Sequence, residues 1–403
     1  MLKILCALCV VFAASGARSA DWYRYRGPDL NGISTETGWQ THWPAEGPKR
    51  LWKASIGTGF SSVTVSHGRL YAFGNTGNSD TVYCFDAATG ATVWKHTYPC
   101  PLDPHFYEGG TSCTPTVDDD RVYTISRKGD LFCLDAAKGS VIWSLNVATD
   151  LGDEIPTWGL AGSPLVQGDM LILNVGSAGT ALDKMTGKVR WASPKGSGGY
   201  ATPVPFDFHG EHCLAIMSLH TLEAVRLANG KSLWRYPWKT DYDVNAADPI
   251  IVGDDKIFIS SGYGHGSTLL DISKGKPVAL WENPDFRNHI ATSILWNGFL
   301  YGTDDVNKST YELKCVDLKT GAIKWSEPSF GKGTLTMADG KFIGLSDKGM
   351  LMVIEPSPEG FKAISSAQVL GGKCWTAPVL SNGRIYCRNS RGDLVCLDVS
   401  GKP

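Results

Sequence analysis

The stretch Cys84-Phe-Asp-Ala-Ala-Thr-Gly-Ala-Thr-Val-Trp94 recurs with little change as Cys133-Leu-Asp-Ala-Ala-Lys-Gly-Ser-Val-Ile-Trp143. Residues 181–191 and 315–325 repeat the same spacing of Asp, Gly and Trp. Four weaker copies lie at 224–234, 269–281, 353–355 and 396–398. Because one short pattern returns at a regular interval, the chain is built from structural repeats.

The repeats are about 45 residues apart on average. Within one repeat, apolar runs at 116–117, 121–125, 131–134 and 141–143 indicate four short strands. Units of this length and strand content are propeller blades, which bury their faces only against neighbouring blades. The sequence therefore predicts an all-β, eight-bladed β-propeller with four-stranded antiparallel blades. A seven-bladed ring stays open as an alternative, since the Val353 repeat has an irregular turn and no Trp.

The conserved spacing within the repeat indicates a structural role for its Asp, Gly and Trp. The Gly supplies the positive φ of a tight turn, and the Asp accepts hydrogen bonds from turn N–H groups. The Trp buries a large indole between neighbouring blades. These predicted docking positions are Asp86, Gly90, Trp94, Asp135, Gly139, Trp143, Asp183, Gly187, Trp191, Asp317, Gly321, Trp325 and Trp52.

The two ends of the repeat region complement each other. The last repeat stops at Gly401-Lys402-Pro403, before its Trp strand, and the segment Arg50–Ile56 supplies such a strand ahead of the first repeat. We predict that this N-terminal strand completes the last blade and closes the ring. The propeller then covers residues 51–403 and is preceded by a leader segment, residues 21–50.

Composition excludes several classes of protein. The chain has 403 residues, 19% of them charged, with 46 Gly and a net charge of −2. So much Gly argues against a coiled coil, a helix bundle or a disordered tail. A balanced charge gives no reason to expect a nucleic-acid partner. No segment is long and apolar enough to predict a transmembrane helix.

Residues 1–20 have the order of a secretory signal peptide. Lys3 precedes the apolar run Ile4–Ala14, and Ala17–Ala20 ends it with small residues. We expect cleavage after Ala20 and a periplasmic or secreted protein. Neither Cys6 nor Cys9 lies at a lipid-attachment junction, so no lipid anchor is expected.

The repeat resembles the quinoprotein-type motif Ala-x-Asp-x-x-Thr-Gly-x-x-x-Trp, and the resemblance covers roughly residues 50–403. Two families share such repeats: PQQ-dependent alcohol dehydrogenases, and the BamB-type scaffold of outer-membrane protein assembly. The opening Trp22-Tyr-Arg-Tyr-Arg-Gly-Pro-Asp-Leu-Asn-Gly32 is similar to the leader of exported PQQ-like propellers. The dehydrogenase resemblance implies PQQ, calcium, an Asp base and, in many members, two adjacent cysteines. No adjacent cysteine pair exists here, so we expect no cofactor and retain PQQ with calcium only as the alternative.

The remaining cysteines and acidic clusters predict no metal site. Four cysteines occupy the small position two residues before the repeat Asp and are expected to be buried and unpaired: Cys84, Cys133, Cys315 and Cys396. Cys100 and Cys113 flank a 12-residue loop. An oxidising compartment permits a disulfide between them, and the sequence leaves that pairing open. Asp118–Asp120 reads as a polar turn between strands.

The candidate binding residues lie in the loops that meet at one mouth of the central channel. In a propeller, the connections from each outer strand to the next inner strand share this face with the connections between the two middle strands. Aligning the repeats places here His105, Glu108, Trp158, Tyr200, Asp243, Asn245, His289, Lys332, Lys373 and Trp375. The same alignment adds Phe60, Tyr107, Asp304 and Asp305. Aromatic and charged groups around one opening suit a polar ligand or a peptide.

The favoured function is that of an exported, non-catalytic and monomeric scaffold. Its loop face would bind a protein partner or a small polar ligand, and a BamB-like role fits this expectation. A PQQ-dependent dehydrogenase is the first alternative. A carbohydrate-active enzyme is the second, because glycoside hydrolysis needs two carboxylates. Its candidates are Glu108, Asp243, Asp304 and Asp305.

Overall fold

The computed structural model describes residues 21–105, 107–307 and 310–401. The predicted signal peptide, residues 1–20, lies outside this range. Nearly all regular structure in the described residues is β-strand. Two single-turn 3₁₀ helices, Asp241–Asp243 and Pro328–Phe330, are the helical exceptions among them.

Two strands precede the repeats, β1 (Ile33–Ser34) and β2 (Arg50–Ser55). Blades 1 to 4 follow in chain order, with strands β3 (Thr64–Ser66), β4 (Arg69–Thr76), β5 (Ser79–Asp86), β6 (Thr92–Pro99), β7 (Thr116–Asp118), β8 (Arg121–Ile125), β9 (Asp130–Asp135), β10 (Val141–Asn146), β11 (Leu165–Gln167), β12 (Met170–Leu173), β13 (Thr180–Asp183), β14 (Val189–Ala192), β15 (Val204–Phe208), β16 (Glu211–Met217), β17 (Thr221–Arg226) and β18 (Ser232–Pro237).

Blades 5 to 8 contain the strands β19 (Ile250–Val252), β20 (Lys256–Ser261), β21 (Gly266–Asp271), β22 (Val278–Asn283), β23 (Ile294–Trp296), β24 (Phe299–Asn307), β25 (Thr310–Asp317), β26 (Ile323–Glu327), β27 (Thr334–Ala338), β28 (Lys341–Leu345), β29 (Met350–Ile354), β30 (Ala363–Gln368), β31 (Val379–Ser381), β32 (Arg384–Arg388) and β33 (Asp393–Asp398). Neighbouring strands within each blade are antiparallel, and the eight sheets confirm the eight-bladed propeller. The Val353 repeat forms the complete blade β27–β30, so the seven-bladed alternative is wrong.

The N-terminal strand closes the ring. Strand β2 pairs antiparallel with β33, and Arg50 lies opposite Leu397 while Trp52 lies opposite Cys396. Blade 8 therefore takes three strands from the end of the chain and its outermost strand from the beginning. This confirms the predicted closure.

Each docking Trp lies on the outermost strand of one blade and contacts the turn of the next. Trp94 packs so closely on Gly139 that a Cβ added there would lie 2.5 Å from the indole. Its Nε1 donates a hydrogen bond to the carbonyl of Ala136 at 2.9 Å. Six indoles donate in this way to the following blade: Trp52, Trp94, Trp143, Trp191, Trp281 and Trp325. The Asp holds the turn, since Asp86 Oδ1 accepts from the backbone N–H of Thr89 at 2.9 Å.

The contact between blades 4 and 5 departs from this pattern. Trp234 is buried, but its Nε1 has no hydrogen-bond partner among the described residues. Gly275, in the following turn, has nothing within 4 Å of the position a Cβ would take. The blade 5 turn, between Asp271 and Val278, is longer than that of blade 1 and contains Pro277.

The leader crosses the channel along the innermost strands. Trp22 exchanges two backbone hydrogen bonds with Val65 at 2.8 and 2.9 Å, and the Tyr23 carbonyl accepts from Val117 N–H. Strand β1 then adds to blade 7 as a fifth strand, parallel to β27, with Ile33 opposite Met337. Blade 7 thus departs from the four-stranded expectation, because the leader satisfies the free backbone groups of an inner edge strand.

The cysteines of the described residues are all free and buried. This confirms the expectation for Cys84, Cys133, Cys315 and Cys396. Cys100 and Cys113 are not bridged and pack in two different apolar clusters. Within the described ranges, no helix has the length and apolar character needed to cross a membrane.

Candidate functional site

A cavity of about 320 Å³ lies on the propeller axis. Its walls come from the segments that enter the innermost strands of the eight blades. Its floor comes from the leader, through Trp22, Tyr25, Arg26 and Gly32. The leader therefore closes one end of the channel, and the loop face is the mouth of the cavity.

Aromatic rings form one side of the cavity in a continuous series. The ring centroids of Trp158 and Tyr107 are 6.2 Å apart, and those of Tyr107 and Phe60 are 5.6 Å apart. Phe60 in turn lies 5.5 Å from Trp375. Tyr200 is buried behind Trp158 and accepts a hydrogen bond from its backbone N–H at 3.4 Å. Flat apolar surfaces of this kind bind the faces of ring-shaped ligands.

Lys332 is the buried cation of the cavity wall. Its Nζ lies 4.2 Å from the centroid of the Trp375 ring and 3.3 Å from the Tyr311 hydroxyl. Among the described residues, no carboxylate oxygen lies within 4.0 Å of Lys332 Nζ, which is the limit for an ion pair. Burial lowers the pKa of Lys332 to about 8, so the ammonium form dominates at pH 7.

His289 separates Lys332 from a buried carboxylate. Lys332 Nζ lies 3.2 Å from His289 Nδ1, and that nitrogen lies 3.4 Å from Asp305 Oδ2. Burial lowers the pKa of His289 to about 3, so the imidazole is neutral at pH 7. Burial also raises the pKa of Asp305. Tyr263 packs against the His289 ring, with centroids 4.5 Å apart.

An inner polar ring lies below the aromatic rings. Its members lie two residues before the innermost strands, except Thr334, which is the first residue of β27. From blade 1 to blade 6, the backbone N–H of one member donates to the side chain of the member in the next blade, as from Thr202 to Asp248 Oδ1 at 2.8 Å. Thr334 Oγ1, in blade 7, has no such partner among the described residues. The bonds in this series measure between 2.8 and 3.0 Å. The members that line the cavity are Ser62, Thr114, Ser163, Thr202, Asp248, Thr292 and Thr334.

Asp248 stands in the inner polar ring at a position where other blades have a hydroxyl. One carboxylate oxygen replaces that hydroxyl, while Oδ2 is buried without a hydrogen-bond partner among the described residues. Burial raises the pKa of Asp248 to about 6, and the Arg26 guanidinium opposes this rise. Arg26 is itself held by backbone carbonyls, including those of Thr292 and Ser293 at 3.0 Å.

The structure separates the ten candidate residues into three groups. Five line the cavity: Trp158, Tyr200, His289, Lys332 and Trp375. Three others lie at the rim: His105 is exposed against Trp158, and Glu108 forms an ion pair with Lys373 at 2.7 Å.

Asp243 and Asn245 complete the ten residues and have local partners. Asp243 pairs with His220 at 2.9 Å on the loop surface. Asn245 is fully buried, and its amide donates to the carbonyls of Ser218, Leu219 and Trp238. It holds the loop in place and does not face the cavity.

Asp248, Arg26 and Tyr25 belong to the site and were not among the sequence candidates. The sequence does carry a signal for Asp248, because several repeats place Ser or Thr before a Pro at this point, as in Thr114-Pro115 and Thr202-Pro203. Asp248-Pro249 breaks that pattern. Arg26 and Tyr25 lie outside the repeats and have no equivalent from which their position follows.

The fold and its axial site define a PQQ-like β-propeller. The family model described as outer membrane protein assembly factor BamB matches residues 78–327, and the chain belongs to this family. No curated protein matches the chain in sequence.

Solved structures share the fold at low sequence identity. BamB from Moraxella catarrhalis has 15% identity and a TM-score of 0.64, covering 88% of this chain and 98% of that protein. Quinohemoprotein alcohol dehydrogenase from Comamonas testosteroni has 15% identity and a TM-score of 0.68, covering 97% of this chain and 82% of that protein. The computationally designed Ika8 protein has 12% identity and a TM-score of 0.60, covering 88% of this chain and 100% of that protein. Such likeness shows the fold alone.

Proposed function

We propose that the protein is an exported, non-catalytic propeller that binds a small polar ligand in the axial cavity. The observation that carries the proposal is the buried Lys332, an ammonium group in the cavity wall without a carboxylate in ion-pair range. A buried charge of this kind costs stability unless a partner compensates it. A ligand that enters from the loop face supplies that partner.

The closed floor favours a small ligand over a threaded peptide. Trp22 and Tyr25 of the leader lie across the channel, so an occupant enters and leaves through the loop face. A volume of about 320 Å³ is near the lower end of ligand pockets. A protein partner would insert no more than a side chain or a terminus.

Dehydrogenase chemistry has weaker support. PQQ enzymes of the resembled family use calcium, and the described residues contain no group of three or more His, Cys, Asp or Glu side chains arranged to hold a metal ion. The cavity carboxylate Asp248 has Arg26 as its nearby charge. We therefore propose ligand binding without this cofactor.

Glycoside hydrolysis is also less well supported, because three of the four candidate carboxylates have basic side chains as hydrogen-bond or ion-pair partners. Asp304 is fully buried between Arg287 at 2.9 Å and Lys314 at 2.6 Å. The partners of Glu108 and Asp243 are the Lys373 and His220 side chains described above. Carboxylates held in this way are poor proton donors or nucleophiles for a sugar.

A second candidate function is protein binding in outer-membrane assembly, which the family match favours. The rim offers groups for such a partner, including the exposed Tyr242 and the half-buried Glu108–Lys373 pair. The two functions are separable, because a ligand occupies the cavity and a partner covers the rim.

A cavity-filling variant tests the proposal. Ala161 lines the cavity, whereas Ala91 lies exposed in the blade 1 turn. We expect small polar molecules to raise the Tm of the wild-type chain and of Ala91→Trp, and to leave Ala161→Trp unchanged. The measurement is a thermal-shift screen of polar metabolites, followed by calorimetry. Binding that survives Ala161→Trp, no binding at all, or micromolar binding of PQQ with calcium would contradict the proposal.

A further inference from the structure

One pole of the cavity is suited to an anion. Lys332 is 6% exposed, and its Nζ points between Trp375, Tyr311 and His289. The imidazole is neutral and the phenol is uncharged at pH 7, so neither neutralises the ammonium. A carboxylate bound to this group makes a charge-assisted hydrogen bond in a poorly solvated site.

A second pole is suited to a hydroxyl. Asp248 is 4% exposed, and its Oδ2 is buried without a partner in the described part of the chain. Thr334 Oγ1, another member of the inner polar ring, is buried and unpartnered in the same way. Both residues line the cavity. A ligand hydroxyl can donate to Asp248, and a polar group of the ligand can likewise bond to Thr334.

The space between the two poles is apolar and flat. Phe60, Tyr107, Trp158 and Trp375 give it a wall of aromatic faces. Aromatic faces pack on the C–H face of a sugar ring or on another aromatic ring. A flexible chain would lose more conformational entropy on binding than a rigid ring does.

We propose that the axial cavity binds a ring-shaped hydroxy acid, with its carboxylate on Lys332 and a hydroxyl on Asp248. The inference rests on the proposed ligand-binding function and specifies the ligand class. Two sources share this chemistry, a sugar acid and an aromatic hydroxy acid. The experiment separates them with glucuronate and 4-hydroxybenzoate as probes.

Calorimetry on the full chain compares each acid with a neutral counterpart, glucose or phenol. We expect glucuronate or 4-hydroxybenzoate to bind at least about tenfold more tightly than its counterpart, the range of a charge-assisted hydrogen bond. The acid that binds more tightly identifies the source. Binding is expected to weaken as the pH rises above about 8, because Lys332 loses its proton there. The charges that face Lys332 are Asp305, Asp347 and Lys373.

Matched variants locate the two poles. Lys332→Met is expected to weaken acid binding roughly 10- to 100-fold, while Lys138→Met, at an exposed lysine in the blade 2 turn, stays within about threefold. Lys332→Arg keeps the charge and is expected to restore part of the affinity. Asp248→Thr retains a hydroxyl to accept from Thr202 N–H and removes the second oxygen. It is expected to weaken binding of the acid and of its neutral counterpart alike.

The outcomes distinguish the two levels of the proposal. Equal losses in Lys332→Met and Lys138→Met, or a neutral counterpart that binds as tightly as its acid, overturn the hydroxy-acid assignment. The hydroxy-acid assignment is also overturned when neither acid binds but another ligand does, and Ala161→Trp blocks that binding. In that case the proposed binding function still stands. No ligand of any class in the cavity overturns both.

Discussion

Two sets of contacts repeat from blade to blade: the Trp contacts at the outside of the propeller and the inner polar ring around its axis. They differ in how many of their buried polar atoms have hydrogen-bond partners. Six indoles donate to a carbonyl of the next blade. Around the axis, Asp248 and Thr334 keep buried oxygens without partners in the described residues. The outer contacts thus account for stability, whereas the inner departures cost stability and face a cavity. Such a cost is typical of functional sites.

The largest effect is expected at an outer contact. Trp94→Ala removes a buried indole and its bond to Ala136, and we expect a loss of about 3–5 kcal/mol in the free energy of unfolding. Urea denaturation followed by fluorescence measures it. Val93→Ala, at an exposed neighbour on β6, is the control and is expected to stay within about 0.5 kcal/mol. A loss below about 1 kcal/mol for Trp94→Ala would show that the blades are held together by other contacts.

Asp248→Thr is expected to raise the free energy of unfolding at pH 8, whereas Trp94→Ala lowers it. Burial raises the pKa of Asp248 from 3.8 to about 6, so the ionised side chain destabilises the folded chain by about 3 kcal/mol at pH 8. This cost is lost as the pH falls through 6 toward 4, because the folded state then binds the proton. The variant should therefore be more stable than wild type at pH 8, with a difference that shrinks at pH 4.

Asp86→Thr is the control for this pH dependence. The backbone and side chain of Thr89 donate to Asp86 and lower its pKa. Its ionised form stabilises the fold at every pH above its ordinary pKa of 3.8, so that contribution persists from pH 8 down to pH 4. The variant should be less stable than wild type at pH 8. Differential scanning calorimetry between pH 4 and 8 checks both variants, and parallel pH profiles would contradict the assignment of Asp248.

The smallest expected effect is the difference in stability between Ala substitutions at two turn glycines. Gly139 and Gly275 have φ of 72° and 84°, so Ala at either position costs about 1 kcal/mol in backbone strain. Only Gly139 supports an indole, since a Cβ there would lie 2.5 Å from Trp94. We expect Gly139→Ala to cost about 1–3 kcal/mol more than Gly275→Ala. Equal shifts in Tm would mean that the indole moves away without cost.

The fold could be predicted from the sequence because the same short residue pattern occurs in repeat after repeat. Each copy of the Asp, Gly and Trp pattern reports the same turn and the same outer strand, and Trp52 marks the strand missing from the last repeat. Trp281, displaced in sequence, still lies opposite Leu269, which is the register that Trp94 has with Cys84. The register of the sheet thus tolerates a longer turn.

The site could be predicted only in part, because its decisive groups are exceptions to the repeat. Lys332 and Trp375 were placed by their position before an inner strand. Asp243 has the same type of position but turns outward to His220. The leader residues Tyr25 and Arg26 reach the cavity through contacts with distant blades, which no local pattern encodes.

The closing seam has a consequence for how the molecule assembles. Strand β2 lies before the first repeat and its partner β33 lies in the last, so the whole propeller separates them in the chain. Pairing across such a separation is slow, because most of the chain must be ordered before the ends meet. Until then the Trp52 indole and the free edge of β33 stay open to other chains. Newly made copies are thus most prone to aggregate just before the ring is sealed.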